Sequence, residues 1–121
     1  SVETHMQLAA EADSSTLLSS NGIIFGTPEN FGYMSGALKD FFDRTFYKVE
    51  HKNINIPYCT FISAGNDGTG AVSSIERIAS GYPLIKVAEP LIISGKQVNS
   101  NKKRCIDFGH GMAAGLALGI Y

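Results

Sequence analysis

Three things are scarce in this sequence of 121 residues: cysteine, charge and long apolar runs. Two cysteines, Cys59 and Cys105, are too few and too far apart for a disulfide framework or a zinc knuckle. Ten Lys/Arg against eleven Asp/Glu leave a formal net charge of −1. That balance offers no basic face to phosphates, so nucleic acid is not an expected partner. No apolar run approaches the roughly 20 residues of a membrane-spanning helix, and no membrane partner is expected. Nor does a charged-then-apolar leader open the sequence, which points to an intracellular, reducing, cytoplasmic setting. No nucleophile with a base beside it, no acid–base dyad and no metal-ligand spacing stands out, so the expected sets of catalytic and metal-binding side chains are empty. Charged residues make up 17% of the chain, below the usual ~25%, which suggests surface covered by another chain. Glycine, by contrast, is abundant: 13 of 121 exceeds the usual ~7% and suggests loops that approach a ligand.

The length fits one domain spanning residues 1–121, large enough to bury a core without staples. Along it, strand and helix signals alternate. Val2 to Leu8 reads as a strand, and Asp13-Ser14-Ser15 offers an N-cap for a short helix carrying Leu17 and Leu18. Gly22-Ile23-Ile24-Phe25-Gly26 is a continuous apolar run between breakers, the pattern of a strand buried on both faces. After a loop punctuated by Pro28, Gly32 and Gly36, Ser35 caps a helix with Ala37, Leu38, Phe41, Phe42, Thr45 and Phe46 on its inner side. Lys39/Asp43 and Asp40/Arg44 form ion pairs four apart on its solvated face. Pro57 to Ser63 reads as a second buried strand, followed by the loop Ala64 to Gly70 and a helix through Val72, Ile75, Ile78 and Ala79. Lys86 to Ser94 reads as a third, interrupted by Pro90 and therefore at an edge or bulged. A polar connector from Val98 to Lys103 leads into a final helix from Cys105 to Ile120. Its glycines 109, 111, 115 and 119 lie inside a helix, so they form no dinucleotide fingerprint, and the four-residue spacing from Gly111 reads as close packing against the sheet or another helix. His5, His51 and His110 are isolated and read as surface or structural histidines, and both cysteines read as inert thiols.

This alternation predicts an α/β fold with a mostly parallel sheet and helices on both faces. Ligands of such sheets sit beyond the carboxyl ends of the strands. The two glycine-bearing loops, after Phe25 and after Ile62, leave neighbouring strands at that end and are expected side by side.

The segment GIIFGTPENFGYMSGALKDFFDRTF, residues 22–46, resembles the middle of flavodoxin-like FMN proteins of the NAD(P)H-dependent FMN reductase and quinone reductase type. There a strand, a G-[ST]-P-x-x-F-G-x-M-[SG] loop and an LKxFxDR helix follow one another. SAGNDGTG, residues 63–70, resembles that family's second loop. The resemblance implies a flavodoxin-like three-layer sandwich, bound FMN, NAD(P)H as electron donor and a quinone or flavin as the small-molecule acceptor. Carried over by motif, Thr27, Pro28, Glu29, Asn30, Phe31 and Gly32 would line one side of the isoalloxazine. Ser63, Gly65, Asn66, Asp67 and Gly68 would line its other edge. The residue types suit a flavin: glycine brings backbone N–H groups close, and Phe31 and Tyr33 offer an aromatic wall. Glu29 is the best candidate for a functional carboxylate.

Aligned by these motifs, the 121 residues begin at the family's second strand. A βα unit takes roughly 30 residues and a five-stranded sheet of this type about 150, so four strands rather than five are expected. The first strand, the phosphate-holding loop and the first helix of the family have no counterpart in these residues. They are expected outside them, on another chain, or replaced by a swapped segment. A homo-oligomer is expected to cover the apolar face so exposed. The competing reading is a cofactor-free, non-catalytic remnant that serves oligomerisation or protein binding.

Overall fold

A computed structural model describes residues 2–97 and 99–121. Three helices lie on one face of a parallel sheet and a fourth lies on the other. In chain order the elements are α1 (Ser14–Leu18), β1 (Ile23–Pro28), α2 (Gly36–Val49), β2 (Ile56–Ala64), α3 (Thr69–Gly81), β3 (Leu84–Lys86), β4 (Leu91–Ser94) and α4 (Lys102–Ala117).

β2 is the centre of the sheet. β1 pairs along it from Ile23↔Tyr58 to Pro28↔Ser63, in parallel. On its other side β3 pairs with Ile56–Tyr58 and β4 with Phe61–Ala64, also in parallel. β3 and β4 are thus two pieces of one edge, and Pro90 falls in the gap between them. Proline has no N–H to give a ladder, so the strand expected over 86–94 breaks there.

The segment Val2–Leu8 corrects the sequence reading: it forms no strand. Its apolar side chains face solvent, Met6 at 96% and Leu8 at 68% exposure. An extended segment is stable only when a neighbouring strand takes up its backbone groups, and among the described residues β1 pairs with β2 alone. The chain is instead held further on. The Arg44 guanidinium donates to the carbonyls of Ala9 (2.8 Å) and Ala12 (2.9 Å) while its Nε pairs with Asp40 (2.6 Å). Arg44 therefore does more than solvate α2: it straps residues 9–12 to that helix. The expected Lys39–Asp43 pair is also formed, at 2.7 Å.

The strand period of two divides the core. Phe25, Thr27, Tyr58, Ile62 and Ala64 are buried beneath α2 and α3 with Leu38, Phe41, Phe42, Ala71, Ile75 and Ala79. Phe42 sits at the middle of an aromatic cluster, 5.1 Å from Phe25, 5.7 Å from Phe41 and 5.6 Å from Tyr82 between ring centroids. The buried Tyr82 hydroxyl donates to the Phe42 carbonyl (2.6 Å) and lies 2.8 Å from Thr45 Oγ1. Burial pushes its pKa up to about 12.

The opposite face carries Ile24, Gly26, Cys59, Phe61, Leu91 and Ile93, by the pairing register. α4 covers part of it through Met112 and Leu116, which pack on Gly22. Ile24 and Phe61 stay 41% and 43% exposed. They border an apolar recess of about 130 Å³ with Leu91, Cys105, Phe108 and Gly109. Of the glycines in α4, Gly115 is a close-packing position, but against the Tyr121 ring rather than the sheet; Gly109 and Gly111 face open space. Residue 98, the first of the expected polar connector, lies outside the described residues; Asn99–Asn101 forms a short turn before α4. No helix among the described residues is long and apolar enough to cross a membrane.

Candidate functional site

The loops after β1 and β2 leave the sheet at its carboxyl end and stand against each other. Their register is continued past the strands by the Glu29 N–H, which donates to the Ser63 carbonyl (2.9 Å).

The first loop is a tight turn. Asn30 and Tyr33 exchange two backbone hydrogen bonds, 2.9 and 3.0 Å. The two residues between them, Phe31 and Gly32, have φ of 52° and 70°. Positive φ at both central positions is the pattern of a type I′ turn, which asparagine and glycine normally fill. A phenylalanine there costs about 1–2 kcal/mol, and this one is also fully exposed, at 108%. Strained backbone of this kind clusters at binding and catalytic sites, which makes this turn a candidate. Tyr33 stands beside it, 40% exposed.

The loop is fastened at three points. The Thr27 hydroxyl, buried, accepts the Ser35 N–H (2.9 Å), and Ser35 in turn caps α2 by accepting from Leu38 N–H (3.2 Å). The buried Ser74 hydroxyl of α3 accepts the Met34 N–H (3.1 Å). Glu29 Oε2 accepts from the N–H groups of Gly70 (3.0 Å) and Ala71 (3.2 Å) in the first turn of α3. Gly70 also packs directly on the Gly32 carbonyl.

The second loop ends in Gly68, whose φ of 76° suits glycine, and a side chain there would meet Ile92 at 2.7 Å. Asp67 Oδ1 accepts from Thr69 N–H (2.9 Å) and Thr69 Oγ1 (2.8 Å). The backbone bond from Thr69, followed by its hydroxyl, holds the Asp67 carboxyl below its usual pKa.

Of the residues expected from sequence, Pro28, Asn30, Phe31, Gly32, Gly65, Asn66 and Asp67 are exposed on the two loops, and Glu29 and Ser63 are half-buried between them. Thr27 and Gly68 are buried and serve the loops from beneath. Ser74 and Gly70 complete the fastening, and neither is among the site residues expected from sequence, although Gly70 ends the second loop's motif. Nothing local marks their role, because their partners are about 40 positions away. Residues 27–34 and 63–70 contain two carboxylates and no lysine, arginine or histidine. The two loops themselves are therefore polar, glycine-lined and aromatic and contribute no cation, which suits a flat heterocycle with carbonyls and ring nitrogens better than a phosphate group.

Comparison with known proteins identifies the family of the chain. The profile of the NADPH-dependent FMN reductase family matches residues 3–98. The chain belongs to that family. The flavodoxin-like α/β architecture follows, and both loops lie inside the matched span. A 43-residue stretch is 51% identical to a protein named NAD(P)H dehydrogenase (quinone) from Acidithiobacillus ferrooxidans. The stretch is 36% of this chain and 21% of that relative, so the chain covers about a fifth of the relative it matches.

The thiols take no visible part. Cys59 is buried in β2, and burial pushes its pKa up to about 11, away from reactivity. Cys105 lies beside the apolar recess on the other face, partly exposed.

Proposed function

We propose that the two loops form the ring-binding side of an FMN site, in an oxidoreductase that takes a hydride from NAD(P)H and passes it to a quinone-type or flavin acceptor. FMN, when bound, supplies the hydride chemistry; the protein supplies binding and orientation. The observation that carries this reading is the apposition of the two glycine-bearing loops beyond the carboxyl ends of β1 and β2, with the strained, exposed Phe31 at their tip. Asn30, Phe31 and Gly32 on one loop and Gly65, Asn66 and Asp67 on the other would hold the ring. Their exposed backbone groups meet its polar edge, and Phe31 and Tyr33 cover its apolar part. Pro28 and Ser63 shape the floor, and Glu29 ties the two loops together beneath it. Thr27 and Gly68 keep the loop ends in place.

Because these loops hold no cation, the ring and not the phosphate should dominate what they bind. Riboflavin and FMN are expected to titrate the chain with dissociation constants within about threefold of each other, a difference below about 1 kcal/mol. Quenching of flavin fluorescence measures both. Failure of either flavin to saturate at millimolar concentration would overturn the reading and leave the cofactor-free interaction module.

The homo-oligomer belongs to the same proposal. Its support is the outer edge of β1, unpaired among the described residues, beside the exposed Ile24 and Phe61. Sedimentation at micromolar concentration is expected to show a species larger than the 13.0 kDa monomer; a stable monomer would count against it.

A further inference from the structure

The position of Glu29 has a consequence beyond ring binding. An α-helix begins with N–H groups that have no partner within it and with a partial positive charge, which makes such an end a natural seat for phosphate. The start of α3 is already filled. Thr69 N–H is taken by Asp67 (2.9 Å) and Gly70 and Ala71 N–H by Glu29 (3.0 and 3.2 Å), and the helix's own ladder begins with Val72 N–H on the Gly68 carbonyl (3.2 Å). Two of these acceptors are carboxylates, and one of them comes from the opposite loop, 41 residues earlier in sequence.

We infer that Glu29 is a positioning residue with two effects: it locks the first loop to the second, and it closes the α3 terminus to anions. It acts through Gly70 and Ala71 and not by touching a ligand. The first effect fixes the spacing between the turn at Phe31–Gly32 and the Gly65–Asp67 segment, the two sides of the proposed ring site. The second fixes orientation, because a phosphate-bearing cofactor cannot turn its phosphate to this helix and must place its ring here. This rests on the ring-site reading for the orientation, but the lock and the anion exclusion are properties of the chain alone.

The test compares wild type, Glu29→Ala, Glu29→Asp and Glu29→Gln by amide NMR, first without flavin. In Glu29→Ala the Gly70 and Ala71 amides are expected to exchange with solvent at least tenfold faster, the loss of about one charge-assisted hydrogen bond. Titration with inorganic phosphate is expected to shift those two amides in Glu29→Ala and not in wild type. Glu29→Gln keeps an acceptor oxygen and is expected to retain most of the protection. Glu29→Asp, one methylene short, is expected to behave like alanine, and it supplies the comparison if the alanine variant does not fold. With riboflavin added, affinity should fall about tenfold in Glu29→Ala and recover in Glu29→Gln. Unchanged exchange at Gly70 and Ala71 in both Glu29→Ala and Glu29→Asp, or phosphate shifts equal in these and in wild type, would overturn the inference. Absence of riboflavin binding in wild type would overturn the ring site instead, and the exchange and phosphate data would still decide the role of Glu29.

Discussion

Gly70→Ala is expected to separate the two loops. Gly70 lies in the first turn of α3 with ordinary helical backbone, so on propensity alone alanine should stabilise by up to about 1 kcal/mol. The contact decides the other way. A Cβ at this position would fall on the Gly32 carbonyl, with Gly32 Cα also only 2.9 Å away. The obstacle is backbone in a strained turn, so no rotamer change relieves it. Overpacking of this kind costs about 1–3 kcal/mol. Moving the turn outward also stretches the Glu29 bonds, worth about 1.5–3 kcal/mol where one partner is charged. A net loss of about 2 kcal/mol is expected, or roughly 6–12 °C in Tm for a domain of this size, with riboflavin affinity reduced at least tenfold. Gly36→Ala is the matched control. It also stands in a first helical turn, but nothing lies within 4 Å of the added atom, so its melting temperature should be unchanged or slightly raised. Thermal melts of the two variants side by side check both statements, and equal melts would show that the Gly70–Gly32 contact is not a constraint.

Phe42→Ala carries the larger stability effect. The ring is 1% exposed and borders Phe25, Phe41 and Tyr82, whose centroids all lie within 6 Å of its own. These neighbours belong to β1, α2 and the end of α3, so the void cannot be closed by moving one side chain. Such truncations cost about 3–5 kcal/mol, against a total stability of about 5–15 kcal/mol for a natural domain. Urea unfolding should show the midpoint falling by about half with little change in slope. Tyr47→Ala, on the outer side of the same helix and 79% exposed, should change stability by less than about 0.5 kcal/mol. A Phe42 variant as stable as the Tyr47 variant would mean that the cluster packs more loosely than its geometry indicates.

Much of this was legible in the order of residues. The apolar run at 22–26, the Ser35 cap, the helical spacing from Leu38 to Phe46 and the Pro90 interruption each rest on contacts between near neighbours. Each is found within a few residues of its expected place. The two loops were recognisable from their glycines and from family motifs. What sequence could not show was long-range. Val2–Leu8 has the side chains of a strand, but strand formation is decided by a neighbour and not by the segment itself. Arg44 and Asp43 look alike as members of a charged face, yet Arg44 reaches back over 30 positions to two carbonyls. The place of Glu29 in the loop makes it a candidate functional carboxylate. Its partners, two N–H groups in α3, have no side-chain signature at all.

The Arg44 strap has a consequence for how the chain can vary. The guanidinium grips only main-chain oxygens of Ala9 and Ala12, and every residue type carries those. The clasp is therefore blind to the identity of what it holds. Substitutions at the exposed Ala10 and Glu11 can accumulate without loosening it, whereas Ala9 and Ala12 also pack their side chains against the core. The demand on hydrogen-bonding chemistry falls on position 44, where lysine, with no planar fork to span two carbonyls, is a poor replacement.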